Sequence, residues 1–302
     1  KNVFKDNQNI FVEGVDANLH PNRIQFLLLK AEQAAQKNRS INSFFLQRAR
    51  VQGKWKKYLF YKFAYEFLSG KLGHRILKFL EDRLFRPGEF QELFDKYKPA
   101  LVFSTILTST IDFRLLRDAK KNKVKSISNI KSWDMPNMKG YLTMNADKLI
   151  AQTDIQKREM IKYHQVPEEK IIVLGNPGFD IYFNEEGLMT HEDFCRFAGL
   201  DPDKKIIFMN ISAVFINPFP EDPIINVDKW LSEGKIKQPA QILISPRSKY
   251  GFSEQLLNNC PNVVVHIAGE MIGGGARSNL KFDKNEIYDL KNCLYHADVV
   301  IT

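Results

Sequence analysis

The chain is poor in the short signatures that mark most nucleotide enzymes and hydrolases. It contains no GxxxxGK[ST] stretch, which excludes a P-loop phosphate cradle. No GxGxxG follows a strand-like run, and Gly273-Gly274-Gly275 has the wrong spacing for one. There is no HExxH and no Cys/His cluster with zinc spacing, so no metal and no other cofactor is expected. GxSxG is missing too, which removes the usual hydrolase nucleophile turn. Cysteine is scarce: Cys195, Cys260 and Cys293 are odd in number and far apart, as buried small hydrophobes in a reducing compartment would be. No apolar run approaches the roughly 20 residues that a membrane span needs. What remains is metal-free chemistry at a cleft in a cytoplasmic protein.

Positive charge is plentiful. A net charge of +9 fits partners that carry phosphate, whether nucleotide, nucleic acid or an anionic membrane face, and does not choose among them. At 302 residues and 44% hydrophobic, the chain is long enough for two domains with real cores. It opens on Lys1 and stops at Thr302 directly after an apolar run, which reads as a fragment.

Short apolar runs alternate with stretches of helical spacing along almost the whole length. Residues 9–15 suggest a strand, and Pro21 opens a helix to about Lys37. A second helix is expected over Ser40–Gln52 and a short one over Glu89–Tyr97. Strands follow at Ala100–Phe103, Ser126–Ile130, Lys148–Ala151 and Ile171–Leu174, with helices at Asp112–Lys120 and Asp154–His164. Asn176–Asp180 forms a turn, with Asp180 capping the next helix. A polar lapse around Asn184–Thr190 places a domain boundary near 185, and Thr190 caps a new helix. Beyond it come strands Lys205–Met209, Gln241–Ile244, Asn262–His266 and Val299–Ile301. Between them lie an irregular segment around Pro218, Pro220 and Pro223, helices at Val227–Glu233, Ser253–Asn258 and Asn285–Tyr295, and a glycine-rich loop over Gly269–Gly275. The pattern predicts an α/β protein of two Rossmann-like, doubly wound domains, 1–184 and 185–302, the second incomplete.

Residues 54–86 interleave aromatics with bases. Trp55, Tyr58, Leu59, Phe63 and Phe67 share a helical face ringed by Lys54, Lys56, Lys57 and Lys62, with Gly70 and Gly73 between two helical halves. The sharp reading is an interfacial helix on anionic lipid, its lysines snorkelling. The plainer reading is a core helix of an α/β layer.

Ser132–Gly140 lies just past a strand end, where ligands of parallel sheets bind. Asp134 is the candidate general base, with Trp133 shielding it and raising its proton affinity. The plainer role for Asp134 is to shape a turn. Asn137, Lys139, Asp112 and His20 are further acceptor-side candidates, whereas His164, on a helix, reads as packed. In the second domain three strand exits can hold a phosphorylated donor. Asn210 and Ser212 follow the first strand; Ser245, Arg247 and Lys249 follow the next; Gly269 and Glu270 open the glycine-rich loop. Arg247 can grip phosphate as a fork. Each of these exits is also simply where a loop must be.

The segments KPALVFST (98–105), LLRDAK (115–120), SWD (132–134), Lys139-Gly140 and PEEKIIVLGNPGFD (167–180) together resemble the bacterial GT-B-type surface-polysaccharide glycosyltransferases. Wider relatives are the CDP-glycerol glycerophosphotransferases and the UDP-N-acetylglucosamine 2-epimerases. HADVVIT (296–302) is similar to the strand that leads into a donor-phosphate loop in such enzymes, a loop that would begin after Thr302. The resemblance is good over 98–183, fair over 190–302 and poor before 98. Two departures stand out: Met135 where many relatives carry Asn, and Ser245-Pro246-Arg247 where relatives carry His-Pro. The resemblance implies two domains facing a cleft and metal-independent transfer of a sugar from a nucleotide-sugar donor to a glycan or lipid-linked acceptor. The enzyme would be peripheral on the inner membrane face, held through 54–86. Transfer of a polyol phosphate and epimerisation of a nucleotide-sugar are the alternatives. A basic protein that binds nucleic acid or membrane without catalysis is the rival class; nucleic acid is not among the expected partners of the enzyme.

Overall fold

The structure is a computed structural model, and it describes residues 9–10, 14, 19–105, 107, 110–142, 145–210, 221–245, 259–266, 270–272, 279–281 and 284–301. The chain divides into two compact units, Lys1–Asn176 and Pro177–Thr302.

The first unit opens with a helical layer. Helix α1 (Arg23–Ala34) starts at Asn22, whose side chain and that of Gln25 cap each other's backbone N–H groups. The expected start at Pro21 is therefore moved two residues on. Helical turns α2 (Arg39–Ile41) and α3 (Arg48–Val51) flank a π-helical stretch, Asn42–Gln47, so Ser40–Gln52 is helical with one widened turn. Helix α4 (Trp55–Phe63) runs into a second π-helical stretch, Ala64–Leu68, and α5 (Lys71–Leu84) follows. Gly70 caps α5, but Gly73 lies inside it and not between the halves. A Cβ on Gly73 would come within 2.4 Å of the Leu68 backbone, so close approach explains that glycine. These helices enclose their own core around Leu28, Leu46, Tyr61, Leu77 and Phe85.

After α6 (Gln91–Tyr97) comes the first sheet. Its strands are β1 (Leu101–Ser104), β2 (Lys125–Asn129), β3 (Lys148–Ala151) and β4 (Ile171–Val173), all parallel and in chain order. The crossovers carry α7 (Thr110–Lys121), the single turn α8 (Met135–Met138) and α9 (Asp154–His164). Crossovers of one hand between strands taken in order put their helices on one face. Accordingly Val102, Leu149 and Ile171 pack with Leu116 of α7 and Met160 of α9 in one core, while Leu101 and Phe103 are exposed.

Helix α7 ties the helical layer to this sheet. Arg117 donates from Nε to the Phe85 carbonyl (2.8 Å) and from its other nitrogens to Glu81 (3.1 Å) and Asp82 (2.8 Å). Asp118 accepts from the backbone N–H groups of Gly88 and Phe90.

The second unit opens with a 3-10 turn, Pro177–Tyr182. Asp180 lies inside that turn, and Thr190 caps the next helix, α10 (His191–Ala198), so the capping role expected of Asp180 is corrected. The second sheet has β5 (Lys205–Met209), β6 (Ala240–Ile244), β7 (Val263–Val265) and β10 (Val299–Ile301), parallel in the order β10-β5-β6-β7. Helix α11 (Asp222–Ser232) carries Pro223 in its first turn, where the missing N–H costs nothing; the helix begins earlier than the proline-rich sequence suggests. Strands β8 (Glu270–Ile272) and β9 (Asn279–Lys281) pair antiparallel, and α12 (Lys284–Tyr295) precedes β10. Strand order reverses between β5 and β10, and both faces are covered. Ile207, Met209, Ile242 and Ile244 pack on α11, whereas Ile206, Phe208 and Leu243 pack on α10 and α12.

Of the expected elements, the strand over 9–15 and the helix over 253–258 lie mainly or wholly outside the described residues.

Candidate functional site

In the first unit the loop after β2 is held by side-chain amides. Gln152 donates to the carbonyls of Ile130 (3.0 Å) and Lys131 (2.9 Å), and Gln156 to that of Ser132 (3.0 Å). Gln36 donates to the Pro136 carbonyl (2.7 Å) and Asn38 to that of Asn137 (3.0 Å). Both amides come from the helical layer. His164 is buried and contacts the same Pro136 carbonyl through Nε2 at 2.7 Å, while its Nδ1 accepts from the Leu142 N–H. Burial lowers its pKa to about 4, so it is neutral and structural, as the sequence suggests.

Asp134 stands at the head of α8, half-buried, at the carboxyl edge of the sheet. Among the described residues its carboxylate has one hydrogen-bond partner, the Ser132 hydroxyl. Trp133 is 73% exposed, which corrects the expectation that its ring shields Asp134: the indole faces water. Asn137 does not point to solvent alone; its Nδ2 donates to Glu159 at 2.7 Å. Lys139 is exposed. Gly140 has φ +78°, and a Cβ there would lie 2.4 Å from the Glu32 carbonyl. That carbonyl accepts the Tyr141 N–H at 2.8 Å, so the glycine serves a backbone junction with α1. Asp112 sits in the first turn of α7, which follows β1 and so opens at the same carboxyl edge. His20 is exposed in the segment before α1.

In the second unit the carboxyl edge presents Asn210, Ser245 and His266 after β5, β6 and β7 in turn. Asn210 is exposed, and its N–H donates to Ile301 of β10 at 3.0 Å, at the point where strand order reverses. That crevice is where open parallel sheets bind ligands. Ser245 is buried. His266 donates its N–H to the Ile244 carbonyl (2.9 Å), and its Nε2 lies 2.8 Å from each oxygen of Asp289 on α12. Phe197 packs edge-on against the ring at 5.1 Å. Sequence reasoning missed this pair, whose members lie 23 residues apart; the one visible signal was a histidine at the end of an expected strand.

Ser212, Arg247, Lys249 and Gly269 lie outside the described residues. Glu270 opens β8, which corrects the glycine-rich loop: its 270–272 portion is a strand paired with 279–281. All three cysteines are buried, and burial pushes the Cys293 thiol up to about 12, far from a reactive thiolate. Among the described residues no group of three or more His, Cys, Asp or Glu is placed to hold a metal ion.

No family model and no curated protein matches the chain. Solved structures do. A UDP-GlcNAc 2-epimerase from Neisseria meningitidis, bound to UDP-GlcNAc, is 14% identical over 70% of this chain and 56% of its own, with a TM-score of 0.45. The UDP-GlcNAc 2-epimerase from Methanocaldococcus jannaschii is 18% identical over 70% of this chain and 58% of its own, again at 0.45. The wall teichoic acid polymerase TagF with CDPG is 12% identical over 76% of this chain and 74% of its own, at 0.32. The chain thus spans little more than half the length of these epimerases. They belong to the same groups that the sequence resembles, and similarity at this level carries no argument about chemistry.

Proposed function

We propose that the chain belongs to a metal-independent GT-B-type glycosyltransferase whose second unit binds a nucleotide-sugar and whose first unit presents the base for an acceptor hydroxyl. The observation that carries this reading is the reversal of strand order at β5 and β10 with Asn210 at its mouth. Next to it, the exits of β6 and β7 bring Ser245 and His266. Asp289 anchors His266 through Nε2 and so fixes the ring at this strand exit. Arg247 and Lys249, on the β6 exit, would add cations for the diphosphate.

In the reaction, an acceptor hydroxyl oxygen bonds to the anomeric carbon and the carbon–oxygen bond to the diphosphate breaks. Asp134 takes the hydroxyl proton, and the nucleoside diphosphate leaves with the bonding pair, stabilised by its donors. Helices α4 and α5 hold the enzyme against the anionic inner face of the membrane, where a lipid-linked acceptor would lie.

The deciding experiment is a thermal-shift panel of UDP, CDP, GDP, CMP and ADP, since a ligand that binds the native state raises the melting temperature. A rise with one nucleoside diphosphate, lost in Arg247→Ala and kept in Asp134→Asn, supports the donor assignment. Absence of any nucleotide response refutes it. Unchanged turnover in Asp134→Asn removes Asp134 as base.

A further inference from the structure

Helix α5 has three distinct faces. Gly73, His74, Leu77 and Glu81 are buried. Leu72, Ile76 and Phe79, spaced as one stripe, stand in water at 72%, 43% and 59% exposure. Along one edge of that stripe Arg75 and Lys78 turn toward the amino-terminal edge of the first sheet. There they meet Lys170, just before β4, around a hollow of about 280 Å³ floored by Tyr141 and Gln165. Lys78 and Lys170 also line a second hollow of about 240 Å³, with Lys120, Lys123 and Lys125 on its far wall. Six cations thus converge from two helices, one loop and two strand entries. Among the described residues none of the six is in an ion pair. The carboxylate present, Asp147, is engaged by the Ser126 N–H at 2.9 Å and by its hydroxyl.

Six cations around one carboxylate leave a strong positive excess, which suits phosphate. A free phosphate does not explain the apolar stripe beside it, but an anionic leaflet explains both. The stripe would sink to the acyl boundary while the cations meet the headgroups. Helix α4 repeats the pattern, with Trp55, Leu59 and Phe63 exposed at a spacing of four and lysines on either side. We propose that the twin hollow between α5 and the amino-terminal edge of the first sheet is a binding site for the phosphate headgroups of anionic phospholipids. This rests on the reading that α4 and α5 dock on a membrane and names the lipid chemistry and residues that orient it.

The test is flotation with vesicles of phosphatidylcholine alone and with about one-third phosphatidylglycerol. The parent chain is expected to partition at least about tenfold better into the anionic vesicles, and less so as salt rises. Lys78→Glu with Lys170→Glu should abolish that preference. A control of equal charge on the second unit, Lys235→Glu with Lys237→Glu, should leave most of it. Equal losses in both pairs would mean that only net charge acts, and would overturn the inference. Ile76→Ser with Phe79→Ser should weaken binding to every vesicle. If that pair binds as the parent does, membrane docking itself fails, whereas failure of the Lys78/Lys170 arm alone leaves docking and removes the headgroup site. No nucleotide or acceptor is present, so the outcome is independent of transfer activity.

Discussion

The two sheets have the same number of strands and differ in how they are wound. In the first unit β1 to β4 follow one another, so their helices gather on one face and Leu101 and Phe103 look outward. In the second unit the step from β7 back to β10 reverses direction, and both faces of β5 and β6 are buried. Winding therefore decides two things at once: whether a strand is buried on one side or two, and whether the sheet has a crevice for a ligand. The first unit invests instead in the helical layer, joined to it by charged and amide side chains.

That joint is where the comparison breaks most readily. Arg117→Ala leaves the buried Glu81 carboxylate without its guanidinium and should cost the first unit about 3–5 kcal/mol. Calorimetry resolving two transitions would show one fall and the other stay; a loss shared by both would mean that the units melt as one. Next comes the winding itself. Ile242→Ala in β6 should cost about 2–4 kcal/mol, and Phe103→Ala in β1 under about 1 kcal/mol. Denaturant melts giving equal penalties would show that the outer face of β1 is covered.

A third effect has the opposite sign. Glu32 is buried beside Glu81, and burial followed by that neighbour raises its pKa to about 9. A raised carboxyl pKa contributes stability below the unfolded value and loses it as pH rises toward the folded one. Glu32→Gln should therefore stabilise the first unit by about 1–2 kcal/mol near pH 8 and do nothing at pH 4. His164 works the other way: its pKa falls from 6.5 to about 4, so its contribution is lost as pH drops through that interval. Melting temperature against pH for the two parents of these effects, Glu32→Gln and His164→Gln, checks both signs. The smallest effect is in the second unit. Asp289→Asn should free the His266 ring and weaken nucleotide binding about tenfold by titration calorimetry, with little change in melting temperature without ligand.

The parallel strands were legible because each is a short apolar run between turn residues, and a strand needs little more than that to declare itself. The helix starts at Asn22 and Thr190 differ in how readily they show: Thr190 precedes acidic first-turn residues, whereas Pro21 draws attention away from Asn22. The π-helical stretches were not legible, since the residue pattern of a widened turn is that of a helix. Strands β8 and β9 were hidden by glycines between them. Of the site, the Ser132–Gly140 loop was visible by its composition, but the orientation of Trp133 was not, because an aromatic in a loop packs or protrudes according to neighbours far along the chain. The same distance hid His266 with Asp289, and the cations gathered around Lys78 and Lys170.

The junction at Gly140 has a kinematic consequence. With the loop's carbonyls gripped by Gln36, Asn38, Gln152 and Gln156, and its end fused to α1 at Glu32, the segment carrying Asp134 has no hinge of its own. It is pinned between the helical layer, through Gln36, Asn38 and Glu32, and the sheet side, through Gln152 and Gln156. If the helical layer docks on a leaflet and Asp134 is the base, as proposed, the pose of the docked helices would set where that carboxylate stands, and the bilayer would take part in the reaction geometry.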